Sequence, residues 1–160
     1  MNRTELLKGF QTACGYTFKN IRLLEEALTH DSNRVNDRTL PTYQRLEFLG
    51  DSVLNLVVSE YLFHAYPDAS EGQLTDRRKE LTESKKQAQI AEKLKLKDHI
   101  LFGQSVQKET YAGHHSFVES IIGAVHIDGG IDESKKLIRR LWELTDSCNT
   151  NNGGSYCVIS

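Results

Sequence analysis

The sequence predicts an all-α domain, on three observations. Proline is confined to Pro41 and Pro67 in 160 residues, so little interrupts a helix. Apolar residues recur at three- and four-residue spacing over long stretches, the period of a helix with one buried face. Hydrophobic residues make up 38% and charged residues 26%, enough to fill one core and cover it, and the length suits a single domain. That domain is expected over residues 1–144. A flexible polar tail, rich in Asn, Ser, Thr and Gly, is expected over 145–160.

Residues 3–13 read as a short amphipathic helix. Residues 20–30 read as a second, with Asn20 as its cap and Ile21, Leu24, Ala27 and Leu28 on one face. The polar stretch 31–41 is expected to be a loop. A long helix should follow over 42–65, with a stripe of Leu46, Leu49, Val53, Leu56, Val57, Tyr61 and Leu62. Phe48, Leu54 and Val58 fall off that stripe, so this helix is expected to be apolar on most sides, central and buried. Pro67 stops it. Ser70-Glu71-Gly72-Gln73 reads as a capping box opening a helix to about residue 81. Thr82 or Ser84 should cap the next, through residue 94. A short helical piece and a turn at Gly103 lead into the polar segment 104–115, expected to be a loop with His114 and His115 solvated. Ser116 should cap a helix over 117–127, ended by Asp128-Gly129-Gly130 with glycine chemistry. Asp132 should cap the last helix, to about residue 144.

The net charge of -2 and pI near 6.3 argue against a strongly basic nucleic-acid binder, although local basic patches can still steer RNA. No apolar run is long enough to cross a bilayer, and no secretory signal opens the chain. Cys14, Cys148 and Cys157 lack zinc-ligand spacing and are odd in number. A reducing intracellular compartment (cytoplasm, nucleus or organelle) fits that usage.

The chemistry is concentrated in Gln44-Arg45-Leu46-Glu47-Phe48-Leu49-Gly50-Asp51-Ser52-Val53-Leu54. Glu47 and Asp51 stand four residues apart, on one face of the long helix. Like charges so placed repel by a few tenths of a kcal/mol. A hard divalent cation, which prefers oxygen ligands, is a reason to keep them together. An isolated pair of this kind would otherwise read as surface charge.

The same run resembles the signature of the ribonuclease III family, metal-dependent nucleases that cut double-stranded RNA. Other blocks match that family in order. Gly15-Tyr16-Thr17-Phe18-Lys19-Asn20 with Leu23-Leu24-Glu25-Glu26-Ala27-Leu28-Thr29-His30 resembles its N-terminal block. Tyr66-Pro67 with Glu71-Gly72-Gln73-Leu74-Thr75 resembles the segment after the signature. Phe117-Val118-Glu119-Ser120-Ile121-Ile122-Gly123-Ala124 with Asp128-Gly129-Gly130 resembles the second catalytic helix. The resemblance spans residues 5–144. It implies the all-helical ribonuclease III endonuclease domain, dimeric, and a double-stranded-RNA-specific endoribonuclease acting in RNA processing by metal-assisted phosphodiester hydrolysis. Glu47, Asp51 and Glu119 match metal-ligating carboxylates, and Glu71 an acid lining the catalytic valley. Magnesium is the implied cofactor, with manganese a possible substitute.

Two positions depart from the family pattern. Gln44 stands where an acid is common, as it does in some Dicer-type domains. Ser116, three residues before Glu119, stands where the family carries a metal-ligating aspartate. Ser116 is thus the candidate fourth ligand, and a hydroxyl binds magnesium far more weakly than a carboxylate. An alternative follows: a catalytically impaired double-stranded-RNA-binding or scaffold protein of the same fold.

Several of these residues also have plainer readings. Glu71 and Asp132 could be first-turn acids that favour the helix dipole, and Ser116 only a helix cap. His30 reads as packed or capping. Among the basic clusters, Arg77 and Arg78 follow Glu71 on one helix and are candidate RNA contacts, with Gln44. Phe48 is a candidate homodimer-interface aromatic. About fifteen residues follow the last helix, too few for an RNA-binding domain, so RNA binding is expected to be weak and salt-sensitive or to need an RNA-binding partner protein. The ending Cys157-Val158-Ile159-Ser160 fits a prenylation pattern, and membrane contact is expected only if Cys157 is prenylated.

Overall fold

The computed structural model describes residues 2–145. The expectations for the tail beyond Thr145, including Cys148 and Cys157, lie outside the described residues. Among the described residues the fold is all-helical, with an isolated parallel bridge between Thr29 and Leu101 and no strand.

Helix α1 spans Arg3–Cys14. It opens with a capping box in which Asn2 accepts from the Glu5 amide and Glu5 accepts from the Asn2 amide. Helix α2 (Ile21–Ala27) is capped by Asn20 as expected but stops short of residue 30. The cause is a competing partner: the Leu101 amide donates to Leu28 O at 2.7 Å and the His30 amide to Leu101 O at 3.0 Å. His30 then caps a 3-10 turn over Asp31–Val35 by accepting from the Ser32 amide, so the capping reading of this histidine holds.

Helix α3 (Gln44–Ala65) is the long central helix, ending before Pro67. Its buried residues are Leu46, Gly50, Val53, Leu54, Val57, Val58 and Leu62. Leu54 and Val58 therefore belong to the core, whereas Leu56, expected there, is 58% exposed. The helix is buried on one broad side only. Phe48, Leu56 and Phe63 lie on its open side.

Helix α4 (Glu71–Thr82) carries the predicted capping box, with Ser70 and Gln73 bonded reciprocally. Helix α5 (Ser84–Lys93) follows at once, and neither Thr82 nor Ser84 caps it. The Thr82 hydroxyl is spent on Arg78 O inside α4. Ser84 is already helical, and Glu83 fills the cap position without a side-chain bond. Helix α6 (Leu96–His99) leads to the turn at Gly103, whose amide donates to Ser32 Oγ at 2.8 Å.

Helix α7 runs Ser116–Trp142 with a kink at Gly130, where φ is +84°, a conformation that favours glycine. The two helices expected here are present, and they meet at Gly130, whose backbone is not helical. Ser116 does not cap it. The chain enters from a 3-10 turn at Gly113–His115 already in helical conformation, so Ser116 is simply the first helical residue. His114 and His115 are half-buried rather than solvated. His114 meets the edge of Tyr111, burial pushes its ring below the usual histidine range, and its Nε2 is buried without a hydrogen-bond partner.

Helices α3 and α7 form the central pair. Leu54, Val58, Phe117, Ile121 and Ile122 between them are fully enclosed. Helices α2 and α5 flank α7, and α1 packs against α6, with Phe10 on the His99 ring.

Candidate active site

The close approach of α3 and α7 builds the site. A methyl group on Gly50 would overlap the Glu119 carbonyl oxygen, and one on Gly123 would overlap that of Leu46. Only glycine at both positions lets the backbones touch, which fixes Glu47 and Asp51 on α3 relative to Glu119 on α7.

Electrostatics report the juxtaposition. The Glu119 carboxyl is pushed up to about 7, chiefly by burial and further by the charges of Asp51 and Glu47, against a hydrogen bond from Gln87 that favours ionisation. Glu119 lies in the first turn of α7, where the helix dipole favours an anion. Glu47 is half-buried and Asp51 exposed. Two of the three carboxylates accept a side-chain hydrogen bond. Asn55 Nδ2 donates to Asp51 Oδ1 at 2.9 Å, and Gln87 Nε2 donates to Glu119 Oε1 at 2.6 Å. Among the described residues no three acidic, histidine or cysteine side chains converge on one metal position. The donor set nevertheless fits a hard cation: three carboxylates on two locked helices, with the half-buried Glu119 raised to about 7 by burial and by the charges of the other two, which a bound cation would offset.

The other sequence candidates are placed less centrally. Ser116 opens α7 one turn before Glu119, half-buried. Glu71 is exposed at the start of α4 and accepts from Thr75 on its own helix at 2.8 Å, which is the first-turn reading. Arg77 is exposed, its guanidinium 4.1 Å from the Tyr66 ring centroid. Arg78 is half-buried and donates to Ser59 Oγ at 3.1 Å, tying α4 to α3. Gln44 is exposed at the first turn of α3. Phe48 is 78% exposed, beside a shallow depression lined by Gln44, Arg45, Leu49 and Ile127.

Two features escaped the sequence reading. Tyr43 and Tyr111 share a hydrogen bond, and Glu47 is close enough to raise both phenols beyond the effect of burial. Tyr43 also stacks on Phe117 at 4.3 Å, so this aromatic group walls the Glu47 side of the site. The second is Gln87, only 3% exposed. It occupies a core position of α5 with Ile90, Ala91 and Leu94 at helical spacing. A lone amide on an apolar stripe was its visible signal.

The ribonuclease-III-like family profile matches residues 20–143. Ribonuclease 3 of Sinorhizobium fredii is 41% identical over 149 residues, covering 89% of this chain and 60% of that protein. Ribonuclease 3 of the Wolbachia of Brugia malayi is 40% identical over 134 residues, covering 80% and 55%. The chain thus spans somewhat over half the length of these curated relatives. The crystal structure of the nuclease domain of ribonuclease III from Campylobacter jejuni, described with a flexible region involved in dimer formation, superposes with a TM-score of 0.77 at 39% identity, covering 84% of this chain and 94% of that one. Dicer from Pichia stipitis superposes with a TM-score of 0.60 at 27% identity, covering 79% and 55%.

Proposed function

This chain belongs to the ribonuclease-III-like family, and on that premise we propose that it is an endoribonuclease that hydrolyses phosphodiester bonds in double-stranded RNA, in RNA processing. The observation that supports the proposal is the close backbone crossing at Gly50 and Gly123, beside which the Glu119 carboxyl feels the charges of Asp51 and Glu47. These three would hold a divalent metal, with Ser116 adding at most a hydroxyl. Magnesium is the expected ion and manganese an alternative, since all the donors are hard oxygens. When bound, such an ion supplies an activated water and stabilises charge on the phosphate oxygens.

The chain's own residues set up that chemistry. The carboxylates repel an RNA phosphate until a cation neutralises them, so metal must precede or accompany substrate. Tyr43 and Tyr111 exclude water beside Glu47. Arg77 is available to a phosphate, whereas Arg78 is better suited to holding α4 in place. Glu71 would line the valley from the start of α4, and Gln44 would meet RNA from the start of α3.

A second copy of the chain is the partner that suits the open face of α3. Phe48, Leu56 and Phe63 are all more than half exposed, a costly arrangement for an isolated domain. A two-fold dimer through this face would set two sites along one valley for the two strands of a duplex. The binder or scaffold alternative rests on Ser116 alone and is not favoured.

The test is cleavage of a labelled RNA duplex of a few tens of base pairs at low salt, with magnesium, manganese or chelator. Metal-dependent cleavage that Asp51→Asn abolishes is the expected result. Full activity in that variant would sink the assignment. Absence of cleavage by folded, dimeric protein with either metal would favour the binder.

A further inference from the structure

We propose that Gln87 is a positioning residue for the metal-binding carboxylate Glu119, fixing the direction of that ligand in a site where Ser116 leaves one acidic group fewer. The inference rests on the proposed metal site and extends it to a residue on a third helix.

The geometry singles out this amide. The Gln87 Nε2 donates to Glu119 Oε1 at 2.6 Å and to Thr82 O at 2.9 Å. Its two hydrogens are therefore both used, and both acceptors are oxygens. Turning the amide over would set Oε1 against a carbonyl and a carboxylate, so the orientation is determined by its partners. The Gln87 Oε1 is buried and has no hydrogen-bond partner. A purely structural core position would be filled without that cost by leucine or methionine, which match the neighbouring Ile90 and Leu94. The polar group is retained at the one place where it reaches a carboxylate of the site.

The donor is neutral, and that matters. A lysine or arginine here would satisfy Glu119 by charge and compete with a divalent cation for it. An amide aims the carboxylate through Oε1 and leaves its negative charge and second oxygen available to a metal. The Thr82 carbonyl in turn anchors the amide to the end of α4, so Glu119 is held through a chain running from α4 to α5 to α7. Partners of this kind orient metal ligands and set affinity without touching the metal.

The experiment is calorimetric titration of the metal-free full chain with magnesium and with manganese, comparing Gln87→Met, Gln87→Leu and Glu119→Gln with the parent, alongside melting temperatures. The two apolar variants should fold with unchanged or higher melting temperature and bind metal about ten- to a hundredfold more weakly. Their cleavage should recover at high metal concentration, with the apparent metal constant shifted more than kcat. Unchanged metal affinity in both, while Glu119→Gln loses it, overturns the role of Gln87 and leaves the metal site standing. Failure of both to fold also overturns it, since the amide would then be a requirement of packing. Retained metal binding in Glu119→Gln instead removes Glu119 from the site, and with it the premise.

Discussion

The carbonyl oxygen of Glu119 fills the space in which Gly50 would carry its side chain. The signature helix and the second acidic helix thus meet backbone to backbone, at the residue that carries a site carboxylate. Gly50→Ala would force a methyl into a carbonyl that cannot rotate away. The helices must part, which costs about 1–3 kcal/mol as overpacking. We expect a melting temperature lower by several degrees, at roughly 2–4 °C per kcal/mol for a chain of this size. Cleavage should fall more than stability explains, because the same shift separates Glu119 from Asp51. Activity per folded molecule equal to the parent would show that the contact serves packing alone.

Glu119 predicts a pH dependence with a definite sign. Burial and its acidic neighbours raise its carboxyl from 4.5 to about 7 in the folded chain. The folded state therefore binds this proton more tightly than the unfolded one. Its contribution to stability is fully present below about pH 4.5 and is lost as pH rises through about 7. Metal acts in the opposite sense, because binding needs the ionised form. Melting curves between pH 5 and 8 should show magnesium stabilising the chain increasingly with pH, with the steepest change near 7. In Glu119→Gln both trends should flatten. Equal stabilisation by magnesium at pH 5 and pH 8 would contradict the assignment.

Most of the fold was legible because it rests on local rules. The capping box at Ser70, the Asn20 cap and the stop before Pro67 depend on residues within a few positions of one another. Errors arose where distant partners decided. Residues 28–30 left their helix for Leu101, far along the chain. Ser116 was expected to cap because serine often does, yet the preceding turn was already helical. Leu56 kept its place on the apolar stripe and faced outward, since periodicity reports which faces are apolar and not what covers them. In the site, the sequence pattern named Glu47, Asp51 and Glu119, but nothing local ties Gln87 to Glu119, which is 32 residues away.

Asp128 illustrates another contact of this kind, with its own test. It belongs to the run expected to end a helix, which breaks at Gly130, and its carboxylate also accepts from Tyr16 Oη and the Lys19 amide, both at 2.8 Å, and from the Asn20 amide at 2.9 Å. Burial opposes its charge, but these three donors prevail and hold it below the usual range. Asp128→Ala should cost about 1.5–3 kcal/mol, the range for hydrogen bonds to a charged group. Its stabilising effect should be intact at neutral pH and lost as pH falls below about 4. A variant as stable as the parent at pH 7 would mean that water replaces all three bonds.

Phe48 tests the proposed dimer. An exposed phenylalanine beside a depression can act as an interfacial anchor, and such residues commonly contribute 2 kcal/mol or more, about thirtyfold in dissociation constant. Phe48→Ala should shift sedimentation toward monomer at concentrations where the parent is dimeric, without lowering the monomer's melting temperature. Unchanged association would assign the dimer contact to another surface.

Ser116→Asp asks whether the site is limited by its missing charge. Residue 116 lies three positions before Glu119, on the same face of α7. A carboxylate there adds a fourth anionic oxygen donor and, without metal, further repulsion on Glu119. Metal-free protein should lose a few tenths of a kcal/mol, while magnesium affinity should rise at least about tenfold, since ligand charge count is a main determinant of affinity for hard cations. If the parent cleaves RNA, the variant should reach half-maximal rate at lower magnesium with a similar maximal rate. If the parent is inert and the variant cleaves, the chain is an enzyme that lost one ligand, and its natural role lies in RNA binding or in pairing with a complete partner. A variant with neither tighter metal binding nor altered cleavage would mean that residue 116 does not face the metal, and that the site is completed from elsewhere.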